Sequence, residues 1–424
     1  MLEDRSVRIK LLVALGLGGF LETYYIYLVT YLLPFFSTFF FPKGLSLFWA
    51  YLLLYLAWFL IQPLSSFYFG HYGDKYGRKR MLIISLVIMA VSVFLIGIFP
   101  SYDTIGVWAF IFFVLLVWLQ GFSFGGEFGS ATTFLAEYAP KEKRGFYVSW
   151  IYFSTFLGIF FSFAASGFVY DLKSWSWRYP FLIGLILTVI GIYLRAKIPE
   201  TPVFQRMANE NRVSSAPVSH MFRNYWKTLL LTIGITIGIA VILGFQFEFL
   251  EYFFIHVVRI DRDHALFLNS CTSLIIILFI PFAGAISDKV GRKYALFWGY
   301  TAIAVISFPL FLLVAKAHPA FTMIVLFFFG LFGACVLGLL GLYIAEQFPT
   351  SVRFTGFCFA LNIGLGIFET IISLMTEYEV TFLPNTYSAA LFVTGGCLIA
   401  LLCLRGTKET AFTPLKEGID RNPL

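Results

Sequence analysis

Charge is what this chain lacks. Asp, Glu, Lys and Arg make up 12% of its 424 residues, about half of the roughly 25% found in soluble domains. With 59% of residues hydrophobic and a mean hydropathy of +0.85, so few charges cannot cover a water-soluble surface. A soluble globule, a disordered chain, a fibrous chain and a β-barrel are all excluded. Cysteine is scarce as well: Cys271, Cys335, Cys358, Cys397 and Cys403 lie in apolar stretches with no CxxC pair, and they read as small core residues. The five histidines, His71, His220, His256, His264 and His318, have no metal-ligand spacing. There is no P-loop, nucleophile elbow or HExxH, so no enzyme activity, cofactor or direct use of ATP is expected. The N-terminal MLEDRSVRIK runs into an apolar segment without a small-residue cleavage site, which reads as a retained first helix.

What is present is long apolar runs. They predict an all-α polytopic membrane protein with twelve transmembrane helices, near 11–38, 48–70, 81–99, 107–138, 146–170, 179–197, 228–257, 265–286, 295–315, 321–347, 355–380 and 387–404. At about 20 residues per span these use roughly 240 residues. The one long polar break, 199–226, divides the chain into a first six-helix bundle at 1–198 and a second at 227–405, with a tail at 406–424. Along this map 24 of the 30 Lys and Arg fall on one side. The positive-inside bias therefore predicts a multi-pass plasma (inner) membrane protein with both termini cytoplasmic. The net charge of +7 reads as topology and gives no reason to expect nucleic acid as a partner.

The halves repeat. GHYGDKYGRKR from Gly70 and GAISDKVGRKY from Gly284 stand 214 positions apart. AEYAPKEKRG, with Glu137, Pro140 and Arg144, and AEQFPTSVRFTG, with Glu346, Pro349 and Arg353, stand 209 apart. Parallel repeats of this kind imply pseudo-symmetric bundles with a substrate path between them. In each loop a glycine, Gly77 or Gly291, permits a tight turn. Asp74 and Asp288 can pair with basic residues such as Arg78 and Arg292, or sit at a neighbouring helix N-terminus. Glu137 with Arg144 and Glu346 with Arg353 read as gate or packing salt bridges at helix ends.

The duplicated G-x-x-x-D-K-x-G-R-K loop resembles the signature loop of the major facilitator superfamily. Within it, the run QGFSFGGEFGSATTFLAEYAPKEKRGFYVSW from Gln120, with WRYPFLIG, PETPVF and EQFPTSVRFTG, most resembles the metabolite:proton symporters. That group includes permeases for proline and betaine, oxoglutarate, citrate and shikimate. The resemblance implies a secondary transporter working by alternating access, with spans one, four, seven and ten around a central cavity. One departure stands out: where the family's first span reads approximately G-N-x-x-E-W-x-D-F, this chain keeps Glu22 but has Tyr25 in place of the embedded Asp.

Ionisable residues deep in spans are costly and mark function. Here they are Glu22, Glu127, Glu248, Glu251 and Glu369, all acidic, with no Lys or Arg in the middle of any predicted span. Glu22 and Glu127 are the candidate proton carriers. Tyr24, Tyr25, Glu248, Glu251, Tyr252 and Glu369 are candidates for the substrate cavity. Acids beside aromatic rings suit a cationic or zwitterionic ammonium solute rather than a di- or tricarboxylate. The expectation is a proton-coupled importer of a small organic solute, functional as a monomer in the lipid bilayer. An uncoupled facilitator or exchanger and an effluxer are the rivals.

Overall fold

The computed structural model describes residues 5–45, 47–171, 177–250, 254–255, 259–315, 319–382 and 387–416. Among them run twelve long helices. In the first half these are α1 (Arg5–Tyr31), α2 (Leu47–Tyr76), α3 (Arg78–Ile98), α4 (Val107–Tyr138), α5 (Arg144–Asp171) and α6 (Arg178–Ala196). In the second they are α7 (Trp226–Gly244), α8 (Arg262–Val290), α9 (Arg292–Ala315), α10 (Pro319–Gln347), α11 (Arg353–Phe382) and α12 (Tyr387–Arg405). Helices satisfy their own backbone polar groups, which is what lets them cross a bilayer. Within the described residues, eight helices have a stretch apolar and long enough to do so. The outward faces of the twelve long helices carry bare apolar side chains, among them Leu64, Ile186, Phe282, Val305 and Leu402, each at least 60% exposed. Such faces belong against lipid.

Local sequence explains the departures from the predicted spans. The first predicted span, 11–38, is interrupted at Leu32, and a short helix, Leu33–Phe40, follows with Pro34 in its first turn. Proline has no N–H to continue the ladder of α1. Span seven continues past Gly244 as a π-helical turn, Phe245–Phe249. The polar break at 199–226 is partly helical: Thr201 caps Pro202–Asn209 by accepting from the Phe204 amide at 3.3 Å, and a second short helix is Pro217–Asn224. A capping hydroxyl followed by proline is a helix-start signal.

The two halves meet chiefly along two helix pairs, α2 against α11 and α5 against α8. Contact is close because small residues line it: a Cβ on Gly145 would lie 2.5 Å from the Gly284 carbonyl oxygen, and one on Gly284 would lie 2.6 Å from that of Gly145. Small residues that admit backbone to backbone are the usual adhesive between membrane helices.

Candidate functional site

The repeated motifs converge at one end of the molecule, the end that holds both signature loops. Gly77 and Gly291 take φ of +105° and +104°, a region where a side chain is strained. Each loop's aspartate reaches across to the other half. Asp74 accepts from the amides of Phe354 (3.3 Å) and Thr355 (2.8 Å) at the start of α11. Asp288 accepts from those of Gly145 (2.7 Å) and Phe146 (2.9 Å) at the start of α5. A carboxylate on the free N–H groups of a helix start is held by both hydrogen bonds and the helix dipole.

Between these caps lies an ion-pair network. Glu137 accepts from Arg353 at 2.8 Å and lies 3.3 Å from Arg78. Glu346 accepts from Arg144 at 2.9 Å and lies 3.0 Å from Arg292. Arg78 and Arg292 also bind their own loop's Asp74 and Asp288, at 3.0 and 3.2 Å. Each half's glutamate is therefore paired with the other half's motif arginine. Four guanidinium groups and four carboxylates balance, which lets the cluster sit almost wholly buried. Arg78 also donates to the Thr350 carbonyl at 2.7 Å, and Arg353 to that of Lys416 in the tail at 3.1 Å. This end of the molecule is closed.

A second layer braces the loops, and the sequence reading missed it. Glu200 accepts from the Lys79 amide at 3.0 Å; Glu409 accepts from the amides of Arg292 and Lys293, each at 3.0 Å. They cap α3 and α9, and each packs against the glycine of its loop, where a Cβ would meet the carboxylate at 2.2 or 2.6 Å. The signal was available: Glu200-Thr201 and Glu409-Thr410 stand 209 positions apart, the step of the gate motif. Thr201 also donates to Glu137 at 2.6 Å, tying this layer to the ion-pair network. Burial pushes the Glu200 carboxyl above its ordinary value, against the Thr201 amide, Arg78 and the Lys79 amide, while Glu137 adds to the rise.

Beyond the ion-pair network lies a cavity of about 170 Å³. α1 supplies Tyr27 and Tyr31, α4 supplies Phe124 and Phe128, and α5 supplies Tyr152 and Phe156. Phe247, in the π-helical turn, faces them with ring centroids 5.8 Å from Tyr27 and 6.2 Å from Phe156. The second half adds Ile239, Leu243, Leu337, Leu361 and Leu365. No charged side chain lines the cavity among the described residues.

The two described acids instead face the interior of the first bundle. Along α4 the cavity face holds Val117, Gln120, Phe124 and Phe128, and the adjacent face turns Ser123 and Glu127 inward. Glu127 is gripped by both terminal nitrogens of Arg195 in α6, one at 2.6 Å, and accepts from Ser85 at 2.9 Å. Arg195 stands at a predicted span end, yet it folds back into the bundle and is 1% exposed. Glu22 has a different fate. It accepts from Ser123 at 2.8 Å, and its other oxygen has no protein partner. It is fully buried beside Thr23, which does line the cavity.

Tyr25 does not bond Glu22. Its hydroxyl lies 3.5 Å from Thr188 and from the Phe181 carbonyl, in a slot left by Gly184 on α6. Neither Tyr25 nor Tyr24, whose hydroxyl lies 3.5 Å from the Pro180 carbonyl, lines the cavity. Glu251 and Tyr252, and the side chains of Glu248 and Glu369, lie outside the described residues.

Residues 15–368 match the family model described as Major Facilitator Superfamily. The chain is 32% identical over 376 residues to the proline/betaine transporter of Escherichia coli strain K12, covering 84% of this chain and 74% of that protein. It is 29% identical over 430 residues to the ectoine/proline transporter of Corynebacterium glutamicum, covering 94% and 83%. Among solved structures, a proton:xylose symporter bound to 6-bromo-6-deoxy-D-glucose superimposes with a TM-score of 0.80 at 19% identity, over 97% of this chain and 98% of that one. The partially occluded inward open conformation of the xylose transporter from E. coli gives 0.67 at the same identity, over 97% and 100%.

Proposed function

The chain belongs to the Major Facilitator Superfamily, as a multi-pass membrane transporter, and from that premise we propose that it imports a compact zwitterionic solute together with protons by alternating access. The observation that carries this reading is the cavity. Its described wall is aromatic and bears no net charge. A di- or tricarboxylate entering it would lose its hydration without a cationic partner, whereas a zwitterion brings its own compensation and an ammonium that aromatic faces attract. The relatives named above are a proline/betaine transporter and an ectoine/proline transporter, and those solutes are of this kind.

The moving parts are the halves at 1–198 and 227–405, joined by the linker at 199–226. Every gate contact between them must break for the closed end to open, while contacts within each half can persist. One chain supplies both sides of gate and cavity, so a monomer suffices. The lysine and arginine bias supports a cytoplasmic position for the gate, both termini and the tail. The structure then corresponds to a state closed to the cytoplasm.

Glu22 is the proton site in this reading. Glu127 is committed to Arg195, whereas Glu22 has one neutral partner, an unpartnered oxygen and a neighbour on the cavity wall. Uptake by proteoliposomes tests it: an inward proton gradient should drive accumulation of glycine betaine or proline above equilibrium, with citrate and oxoglutarate excluded. A second reading, uncoupled exchange, rests on Tyr25, which occupies the family's Asp position and is bonded away from the cavity. Equilibration without accumulation under the same gradient would favour it.

A further inference from the structure

Among the described residues, the cavity wall holds one side-chain amide whose nitrogen the protein leaves without an acceptor. The threonines on the wall spend their hydroxyl protons on helix carbonyls: Thr23 on Gly19 at 2.9 Å, Thr30 on Ile26 at 3.0 Å, Thr155 on Ile151 at 2.9 Å and Thr370 on Gly366 at 2.6 Å. Gln120 differs. It is 1% exposed, stands on the cavity face of α4 one turn before Phe124, and its amide nitrogen meets no acceptor in the protein. Buried amide donors almost always have partners, because one without them forfeits its hydration for nothing.

We infer that Gln120 reads the carboxylate of the transported zwitterion and so separates it from a plain ammonium ion. This assignment rests on the function reading above and deepens it. A carboxylate accepts hydrogen bonds and donates none, and the primary amide has two N–H groups to offer. Its planar end can turn about the last side-chain torsion to present them. A neutral donor also leaves the empty cavity uncharged, which a lysine or arginine at this place would not. The ammonium end then falls to the aromatic faces. Phe124 and Phe128 (5.4 Å between centroids) continue to Tyr152, 5.3 Å further. Tyr27, Phe156 and Phe247 form a second ring cluster on the wall. The wall would thus recognise a solute by two poles: a cation without N–H groups satisfied by rings, and an anion satisfied by one amide.

Two probes isolate the carboxylate. Glycine betaine and choline share the trimethylammonium group, and only betaine carries the anion. Binding of each to the purified full-length protein would be measured by calorimetry, for the unmodified chain, Gln120→Leu and Gln120→Glu. Leucine removes the donor with little change of size, so betaine affinity should fall about tenfold or more, the scale of a hydrogen bond to a charged group, while choline affinity holds. Glutamate places a like charge against the carboxylate and should reverse the preference, with choline bound more tightly than betaine. Retained choline binding also shows that the variants fold. Betaine affinity unchanged in Gln120→Leu, or betaine and choline falling together, would overturn the assignment alone. An unmodified protein that binds neither probe, nor proline, would overturn the function reading and this assignment with it.

Discussion

Glu137 and Arg353 lie 216 positions apart, in different halves of the chain, and meet at 2.8 Å in a fully buried pair. The sister pair, Arg144 and Glu346, repeats the contact at 2.9 Å with the direction reversed. Replacing Glu137 by Gln would leave Arg353 and Arg78 buried with less counter-charge. Breaking such a pair costs about 3 to 5 kcal/mol, and the closed end bears that cost because opening hydrates the guanidinium groups. Cys358 is a native reporter. It is fully buried beside Phe69, Met81 and Phe354, just inside the gate. In Glu137→Gln its alkylation by a maleimide, followed by mass spectrometry, should speed up at least tenfold over the unmodified protein. An unchanged rate would show that the pair does not hold this end shut.

The aspartate caps should matter in the same direction and by less. Asp74→Asn and Asp288→Asn each keep a carbonyl oxygen for one helix amide and lose the charge at the helix start. That interaction is worth roughly 0.3 to 2 kcal/mol, and Arg78 and Arg292 retain Glu137 and Glu346 nearby. Cys358 labelling should therefore rise to an intermediate level in both variants, ordered below Glu137→Gln. Labelling above that of Glu137→Gln would reverse the ranking and make the caps the primary lock.

Glu200 gives a pH signature. Its carboxyl is held above the ordinary value, chiefly by burial. A carboxyl with a raised folded value binds its proton more tightly in the folded chain. Its penalty is therefore absent at low pH and sets in as pH rises through the raised value. Glu200→Gln cannot titrate. The melting temperature of the unmodified protein minus that of the variant should then grow as pH falls from about 7.5 to about 5. A difference that shrinks with acidification would mean that the Thr201 and Lys79 amides and Arg78 outweigh burial.

The architecture could be read from composition, charge bias and the two repeats, because lipid imposes helices and a duplicated chain writes its symmetry as equal offsets. The residues of the ion-pair network stand out for the same reason, though not their partners: Glu137 stands seven residues from Arg144 in sequence, yet it binds Arg353. Pairing across halves exists only once α2 lies on α11 and α5 on α8. Arg195 shows the limit from the other side. It looks like a loop charge at a span end, and its long stem carries the guanidinium back into the bundle to Glu127. The distinction between cavity wall and bundle interior was equally hidden. Residues 120 and 127 on α4, or 22 and 23 on α1, differ only in which way the helix is rolled against its neighbours.

That distinction separates the two candidate proton carriers. Glu127→Gln would remove the charge that Arg195 holds and leave a buried guanidinium hydrogen-bonded to carbonyls, among them Ala14 at 3.1 Å and Leu82 at 2.8 Å. The expected result is structural: a loss of about 3 to 5 kcal/mol, read as a lower melting temperature and low yield, with transport falling in proportion to folded protein. Glu22→Gln keeps an acceptor for Ser123 and leaves no charge unpaired, so the melting temperature should change little. Its effect should fall on coupling. With that site unable to release a proton, accumulation of solute against its gradient should fail, while counterflow exchange of labelled for unlabelled solute, which needs no net proton movement, should persist. A Glu22→Gln variant that still concentrates solute would remove Glu22 from the proton path. The test would then pass to Glu248, Glu251 and Glu369.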